Sequence, residues 1–121
     1  MIPVQTLEAA FDQVTEHWSP KVIGRVNDQY IKIAKVLGDF VWHAHDGEDE
    51  LFYIVRGRLR IEYEDHAADL DAGQFTIVPK GVRHRPVAED ECWLMLIEPI
   101  TTKHTGEVES DITKSIDQQL G

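Results

Sequence analysis

From "PKVIGRV" onward, short apolar-rich runs alternate with polar turn signals: "NDQ" at 27–29, "GD" at 38–39, "DG" at 46–47, Gly57, "EDH" at 64–66, "DAG" at 71–73, "PKG" at 79–81 and "EDE" at 89–91. Runs recurring roughly every eight to twelve residues, with no helical stretch between them, predict antiparallel strands in a sandwich or barrel. The ends follow another pattern. "LEAAFDQVTE" reads as a short helix that Thr6 can cap, with Glu8 and Asp12 early in it where the helix dipole favours acids. After the last strand a polar tail, "TTKHTGEVESD", leads to "ITKSIDQQL", which can close the chain as a second helix. No internal repeat, linker or low-complexity block interrupts this order. The expected organisation is one domain: an N-terminal helical segment over 1–17, a β-barrel over 18–100, and a C-terminal tail with a short helix over 101–121.

Strand parity adds detail. In "FVWHAH", read as a strand, Val41, His43 and His45 share one face while Phe40 and Trp42 share the other. In "ELFYIVR", Glu50, Phe52 and Ile54 alternate with Leu51, Tyr53 and Val55. The inward set then comprises Val41, Phe52, Ile54, Leu59, Ile61 and Leu94. "CWLMLI" is apolar on both faces, so its strand needs cover on both sides. A barrel interior covers one face; the terminal segments or a second copy must cover the other, and a homodimer is expected.

Composition narrows the class. The chain has 121 residues, 42% of them hydrophobic and 28% charged, the profile of a soluble globular domain able to bury its own core. No run approaches the length of a membrane span, and the acidic start lacks the basic region of a signal peptide, so a cytoplasmic location is the default expectation. Cys92 is the lone cysteine, which excludes an intrachain disulfide and reads as a small buried hydrophobe. A formal charge of −10 repels phosphate backbones, so nucleic acid is not an expected partner. Two local clusters of base stand against this: Arg56, Arg58 and Arg60, then Lys80, Arg83 and Arg85. They are either solvated strand faces that discourage edge pairing or a basic rim that draws an anionic small molecule.

Candidate chemistry is concentrated in "HAHDGEDE" and "GQFTIVPKGVRH". Histidines at i and i+2 of a strand point both imidazoles to one side, close enough to share an ion. A turn at "DGED" lets Glu50 come alongside, and the Pro79–Gly81 turn can aim His84 back at the same point. Imidazole nitrogens with a carboxylate oxygen suit a borderline divalent cation such as iron, manganese, nickel, zinc or copper. His17, His66 and His104 read as ordinary satisfied histidines. There is no nucleophile elbow, phosphate loop or zinc-ribbon cysteine set, and the acids at 46–49 fail the EF-hand spacing.

The pattern G-x4-H-x-H-x4-E-x6-G, from Gly38 to Gly57, resembles the first motif of the cupin superfamily. The pattern G-x5-P-x-G-x2-H, from Gly73 to His84, resembles the second. The first is one residue short between Gly38 and His43, and Ala88 stands where the second motif usually ends in Asn. The chain as a whole is similar to small single-domain cupins of the mannose-6-phosphate-isomerase-like kind. That resemblance implies an all-β fold, a conical β-barrel or jelly roll (double-stranded β-helix) with short terminal helices. It also implies one divalent transition metal per chain (Fe, Mn, Ni or Zn), with His43, His45, Glu50 and His84 as its ligands.

Four protein ligands leave about two open positions on an octahedral ion, the arrangement a catalytic metal needs. The expectation is a metal-dependent enzyme acting on a small molecule, of oxygenase or sugar/keto-acid isomerase type. The other reading is a non-catalytic metal-binding or ligand-binding sensor module, which the mostly apolar inward set favours. A structural ion riveting two strands is a third. No general acid or base is assigned.

Overall fold

The two-sided apolar run around "CWLMLI" becomes the spine of the protein. In the computed structural model, which describes residues 1–121, it forms part of β7 (His84–Pro99), the longest strand. The second half of β7 lies between β2 (Gln29–Asp39) and β3 (Glu50–Arg56), and its first half pairs with β4 (Arg58–Tyr63). β1 (Lys21–Val26) adds to β2, β6 (Phe75–Val78) to β3, and β5 (Ala67–Asp71) to β4, every pair antiparallel. The sheet order is β1-β2-β7-β3-β6, with β4 and β5 branching from β7. The ladder does not close on itself, and the fold is an all-β jelly roll with short helices at its ends.

β7 serves both branches because it bends midway. Val36 pairs with Cys92 and Gly38 with Ala88, so Glu89–Glu91 are left unpaired with β2 and exposed. Gly38 absorbs this shift at φ +83°, in the left-handed region that glycine enters without steric cost. Beyond the bend, Cys92, Leu94, Leu96 and Glu98 turn inward while Trp93, Met95 and Ile97 face the other way. The interior is filled by Val36, Phe52, Ile54, Leu59, Ile61, Leu70, Val78, Leu94 and their neighbours, all buried. Cys92 belongs to this core, and burial pushes its thiol up to about 12.

The second face of the spine is covered from the N-terminus. Phe11 of α1 (Leu7–Phe11) and Val14 just after it pack on Ile33, and the Phe11 ring stacks on Trp93 at 4.8 Å. The helix is shorter than the "LEAAFDQVTE" pattern predicts. Gln13 and Val14 donate their backbone N–H to the carbonyls three residues back, a tight turn that tucks Val14 into the core. Thr6 occupies the cap position with extended backbone, but its side chain makes no capping hydrogen bond. At the other end, α2 (Ile116–Leu120) starts later than "ITKSIDQQL" predicts, because Ser115 and Gln118 form a reciprocal capping box there. No helix is long and apolar enough to cross a membrane.

One further expectation is corrected, and one open alternative is decided. "FVWHAH" is not a ladder strand: residues 40–45 belong to no strand and form only the isolated bridge between His43 and His84. Without a ladder, strict alternation lapses. Phe40 is buried and stacks on Trp18 at 4.7 Å, while Val41 is only half-buried and lies outside the core cluster. The arginines form no free basic rim either. Arg56 pairs with Glu8, Arg58 with Asp71, Arg60 with Asp69, Arg83 with Glu64, and Arg85 with Glu62 and Asp39. Acids on neighbouring strands, on α1 and in the turn after β4 pair with them, which is the solvated-face reading.

Candidate metal centre

The two motif segments are stitched together by backbone hydrogen bonds. His43 N–H donates to His84 O at 3.0 Å, and His84 N–H returns a bond to His43 O at 2.8 Å. The turn after Pro79 folds over His45, where Gly81 N–H donates to the His45 carbonyl at 2.8 Å. The acids of "DGED" are largely scaffold. Asp49 accepts from the Lys80 backbone N–H at 2.9 Å, tying the turn of one motif to the turn of the other, and Glu48 accepts from the Thr101 hydroxyl at 3.0 Å. Glu50, the first residue of β3, points inward and is buried.

These constraints bring His43, His45, Glu50 and His84 together. All four are buried, and one ligand atom from each lies within 4.8 Å of the others. The His43 and His84 rings are 4.4 Å apart between centroids. Their orientation is set locally: Nδ1 of His43 lies 2.8 Å from Val41 O and Nδ1 of His84 lies 2.9 Å from Val82 O. A carbonyl can only accept, so each Nδ1 carries the proton and each Nε2 offers a lone pair. Glu50 Oε1 sits 3.5 Å from His45 Nε2 and 3.6 Å from His84 Nε2.

The donor set has the chemistry of a cation site. His45 Nε2, His84 Nε2 and Glu50 Oε1 are buried without a hydrogen-bond partner. Leaving each such group unsatisfied costs about 1–3 kcal/mol, and one divalent ion would satisfy all of them together. Burial, then the neighbouring His84, lowers His43 to about 4. For Glu50, burial alone would raise the carboxyl, but the closely placed His45 and His84 imidazoles outweigh it and hold the group well below the usual carboxylate range. At neutral pH, therefore, His43 is neutral and Glu50 ionised, the forms that ligate. The four side chains could hold a metal.

Three more ionisable groups lie inside or at the mouth, which the mostly apolar inward set read from the sequence missed. Lys32 and Glu98 are buried on β2 and β7 with their charged atoms 3.7 Å apart. Burial, then the nearby Glu50 charge, raises Glu98 well above its ordinary value. Parity carried a signal for both: Lys32 is in phase with Ala34 and Val36, and Glu98 with Leu94 and Leu96. His104 is the third, and burial lowers it to about 4. It belongs to the C-terminal segment, and no period in its neighbourhood marks it as inward. His17 and His66 are ordinary, each 2.7 Å from an acid, Glu91 and Asp65 respectively.

Beside the four ligand candidates is a cavity of about 40 Å³. Its walls are mainly apolar, with Ala34, Val36, Phe40, Phe52, Leu94 and Leu96 among them, and His43, Glu50 and His104 supply its ionisable groups.

A sheet of this topology around a His-His-Glu-His cluster defines a cupin. The chain belongs to the Cupin_2 family, the cupin domain, whose model matches residues 32–98. It is similar to YdbB, an uncharacterised protein of Bacillus subtilis, at 36% identity over 86 residues, 70% of this chain and 76% of YdbB. Among solved structures it resembles a cupin-2 domain containing protein from Shewanella frigidimarina, with TM-score 0.78 and 44% identity over 79% of this chain and 94% of that one. Protein NMB1881 from Neisseria meningitidis is similar with TM-score 0.74 and 32% identity, covering 80% and 99% of the two chains.

Proposed function

We propose that this protein is a metal-dependent enzyme in which His43, His45, Glu50 and His84 hold one divalent transition metal and the adjoining cavity receives a small molecule. The observation that carries this reading is the convergence of buried, unpartnered donors: His45 Nε2, His84 Nε2 and Glu50 Oε1. When bound, such an ion supplies Lewis acidity toward an oxygen of the ligand, or an electron to dioxygen if it is redox-active. The chain's own residues do the rest. Val41 O and Val82 O orient two imidazoles, Glu50 supplies the one anionic donor, and the apolar wall excludes water.

Cavity size favours one branch of the chemistry. Pockets for drug-sized ligands run to about 300–1,000 Å³, far above the 40 Å³ found here. A sugar would also need several polar partners for its hydroxyls, where most of the lining is hydrocarbon. A compact ligand with one oxygen function and an apolar body fits better, which supports oxygenase chemistry over sugar isomerisation. We further propose a cytoplasmic homodimer without nucleic-acid or membrane partners. Phe75 and Ile77, exposed on the edge strand β6, offer the uncovered apolar surface for a second copy.

The test is elemental analysis of protein purified without added metal, followed by an oxygen-uptake screen of short carboxylates and ketones with each metal found. Near-stoichiometric iron or manganese with oxygen consumption is the expected result. Stoichiometric metal without turnover of any compound would move the protein to the non-catalytic binding or sensor class. Absence of any metal, with none taken up on addition, would remove the proposal.

A further inference from the structure

The C-terminal segment that follows β7 is fastened across the mouth of the sheet at several points. Thr101 bonds to Glu48 in the turn inside the first motif, and Gly106 packs directly on the backbone of Ala44, between the two ligand histidines. Further along, Lys114 N–H donates to His104 Nδ1 at 2.8 Å, and Gln119 Nε2 donates to Lys114 O at 3.0 Å. Gln119 Oε1 in turn accepts from the buried Lys32 ammonium at 2.5 Å. His104 is thereby locked from outside. Its ring lies 5.1 Å from Phe40, whose edge meets His43 at 5.3 Å. It lines the metal cavity on one side and a surface groove of about 380 Å³ on the other.

The hydrogen bond from Lys114 decides the tautomer. A backbone N–H can only donate, so His104 Nδ1 is the bare nitrogen and the ring's proton sits on Nε2. Nε2 makes no hydrogen bond within the protein, since the only bond to the ring is the one at Nδ1. Of the ionisable side chains in the cavity wall, His104 alone is not a ligand candidate.

We propose that His104 is the ligand-positioning residue of this cavity, its Nε2–H donating a hydrogen bond to an acceptor oxygen of a short carboxylate or similar compact oxyanion bound beside the ion. This rests on the metal-site reading above. It deepens that reading by naming the ligand class: one acceptor oxygen group on a body of few carbons. A cavity holding one water needs roughly 10–15 Å³ by the same kind of measure, so 40 Å³ admits only a few non-hydrogen atoms. The C-terminal segment then acts as a selectivity wall rather than as a tail.

The experiment uses the full chain loaded with Co(II), whose visible spectrum reports its coordination, and titrates it with acetate as the probe. Wild type, His104→Phe and His104→Gln are compared. Co(II) affinity is expected to stay within about threefold in all three, because His104 is not a ligand. Acetate affinity is expected to fall about ten- to a hundredfold in His104→Phe, the loss of a hydrogen bond to a charged acceptor. It should return to within about threefold of wild type in His104→Gln, whose amide N–H can replace Nε2–H. Equal acetate affinity in wild type and His104→Phe overturns the proposal, as does failure of acetate to change the wild-type spectrum. If His104→Phe does not fold, His104→Gln decides: a loss there assigns the residue to packing and overturns the donor role. A wild type that takes up no Co(II) overturns the metal reading itself, an outcome separate from either.

Discussion

Replacing Glu50 by Gln keeps the shape of the side chain and removes the only anionic donor among the four ligand candidates. Two effects follow, and they separate experimentally. Without metal, the carboxylate interacts with His45 and His84 at 3.5 and 3.6 Å, and these neighbours hold it ionised despite full burial. Both contacts are longer than hydrogen bonds, so their loss costs at most about 1.5 kcal/mol, less than a charge-assisted bond. For a chain of 121 residues, unfolding entropy near 2.1 cal/mol/K per residue makes 1 kcal/mol worth about 4 °C. Apo Glu50→Gln is thus expected to melt at most about 6 °C below wild type.

With metal the contrast grows. At a free concentration of 100 times Kd, a ligand that binds only the folded state adds about 2.7 kcal/mol, or roughly 10 °C on the same scale. If the substitution weakens metal binding about a hundredfold, the same concentration equals the new Kd. It then adds only about 0.4 kcal/mol, or roughly 2 °C. The assay is a melting series of wild type and variant against Mn(II), Fe(II), Ni(II) and Zn(II), with excess chelator as the apo reference. Equal metal-dependent shifts in the two proteins would refute Glu50 as a ligand, whatever the apo difference.

Other outcomes follow from the same coordinates. Apo protein should lose stability on acidification: His43 binds its proton at about 4 when folded but near 6.5 when unfolded. A lowered folded value means that the unfolded chain takes up the proton first. The loss therefore begins below pH 6.5, is complete below about pH 4, and reaches about 3 kcal/mol; flat denaturant midpoints across that window would contradict it. Gly106→Ala places a side chain against the carbonyl of Ala44 at a residue with φ +61°. It should cost about 1–3 kcal/mol and speed tryptic cleavage near Lys103 and Lys114, and unchanged proteolysis would speak against the packed C-terminal segment. Leu59→Ala in the fully buried core should cost about 2–5 kcal/mol in urea unfolding. Cys92, fully buried with its thiol at about 12, should resist thiol reagents at pH 8 until the chain is denatured.

The strand runs, the turns that separate them and the spacing of the two glycine–histidine motifs are local properties, and period and turn chemistry alone locate them. That is why an antiparallel sandwich or barrel could be read from residue order, while the resemblance of the two motifs to cupins supplied the jelly roll and the grouping of His43, His45, Glu50 and His84. The need to cover both faces of "CWLMLI" was legible for the same reason, and Phe11 with Val14 meets part of it. What only the tertiary structure decided depends on partners distant along the chain. Phe40 rather than Val41 is buried because residues 40–45 have no ladder to enforce alternation and Trp18 waits to stack on the ring. The arginines lose their apparent basic rim because acids on neighbouring strands face them. His104 looks like any polar-tail histidine until Lys114 fixes its Nδ1 and the segment brings its ring to the cavity. A periodic pattern encodes which face of an element is apolar, but the distance between two residues far apart in the chain is set by packing, and packing has no local signature.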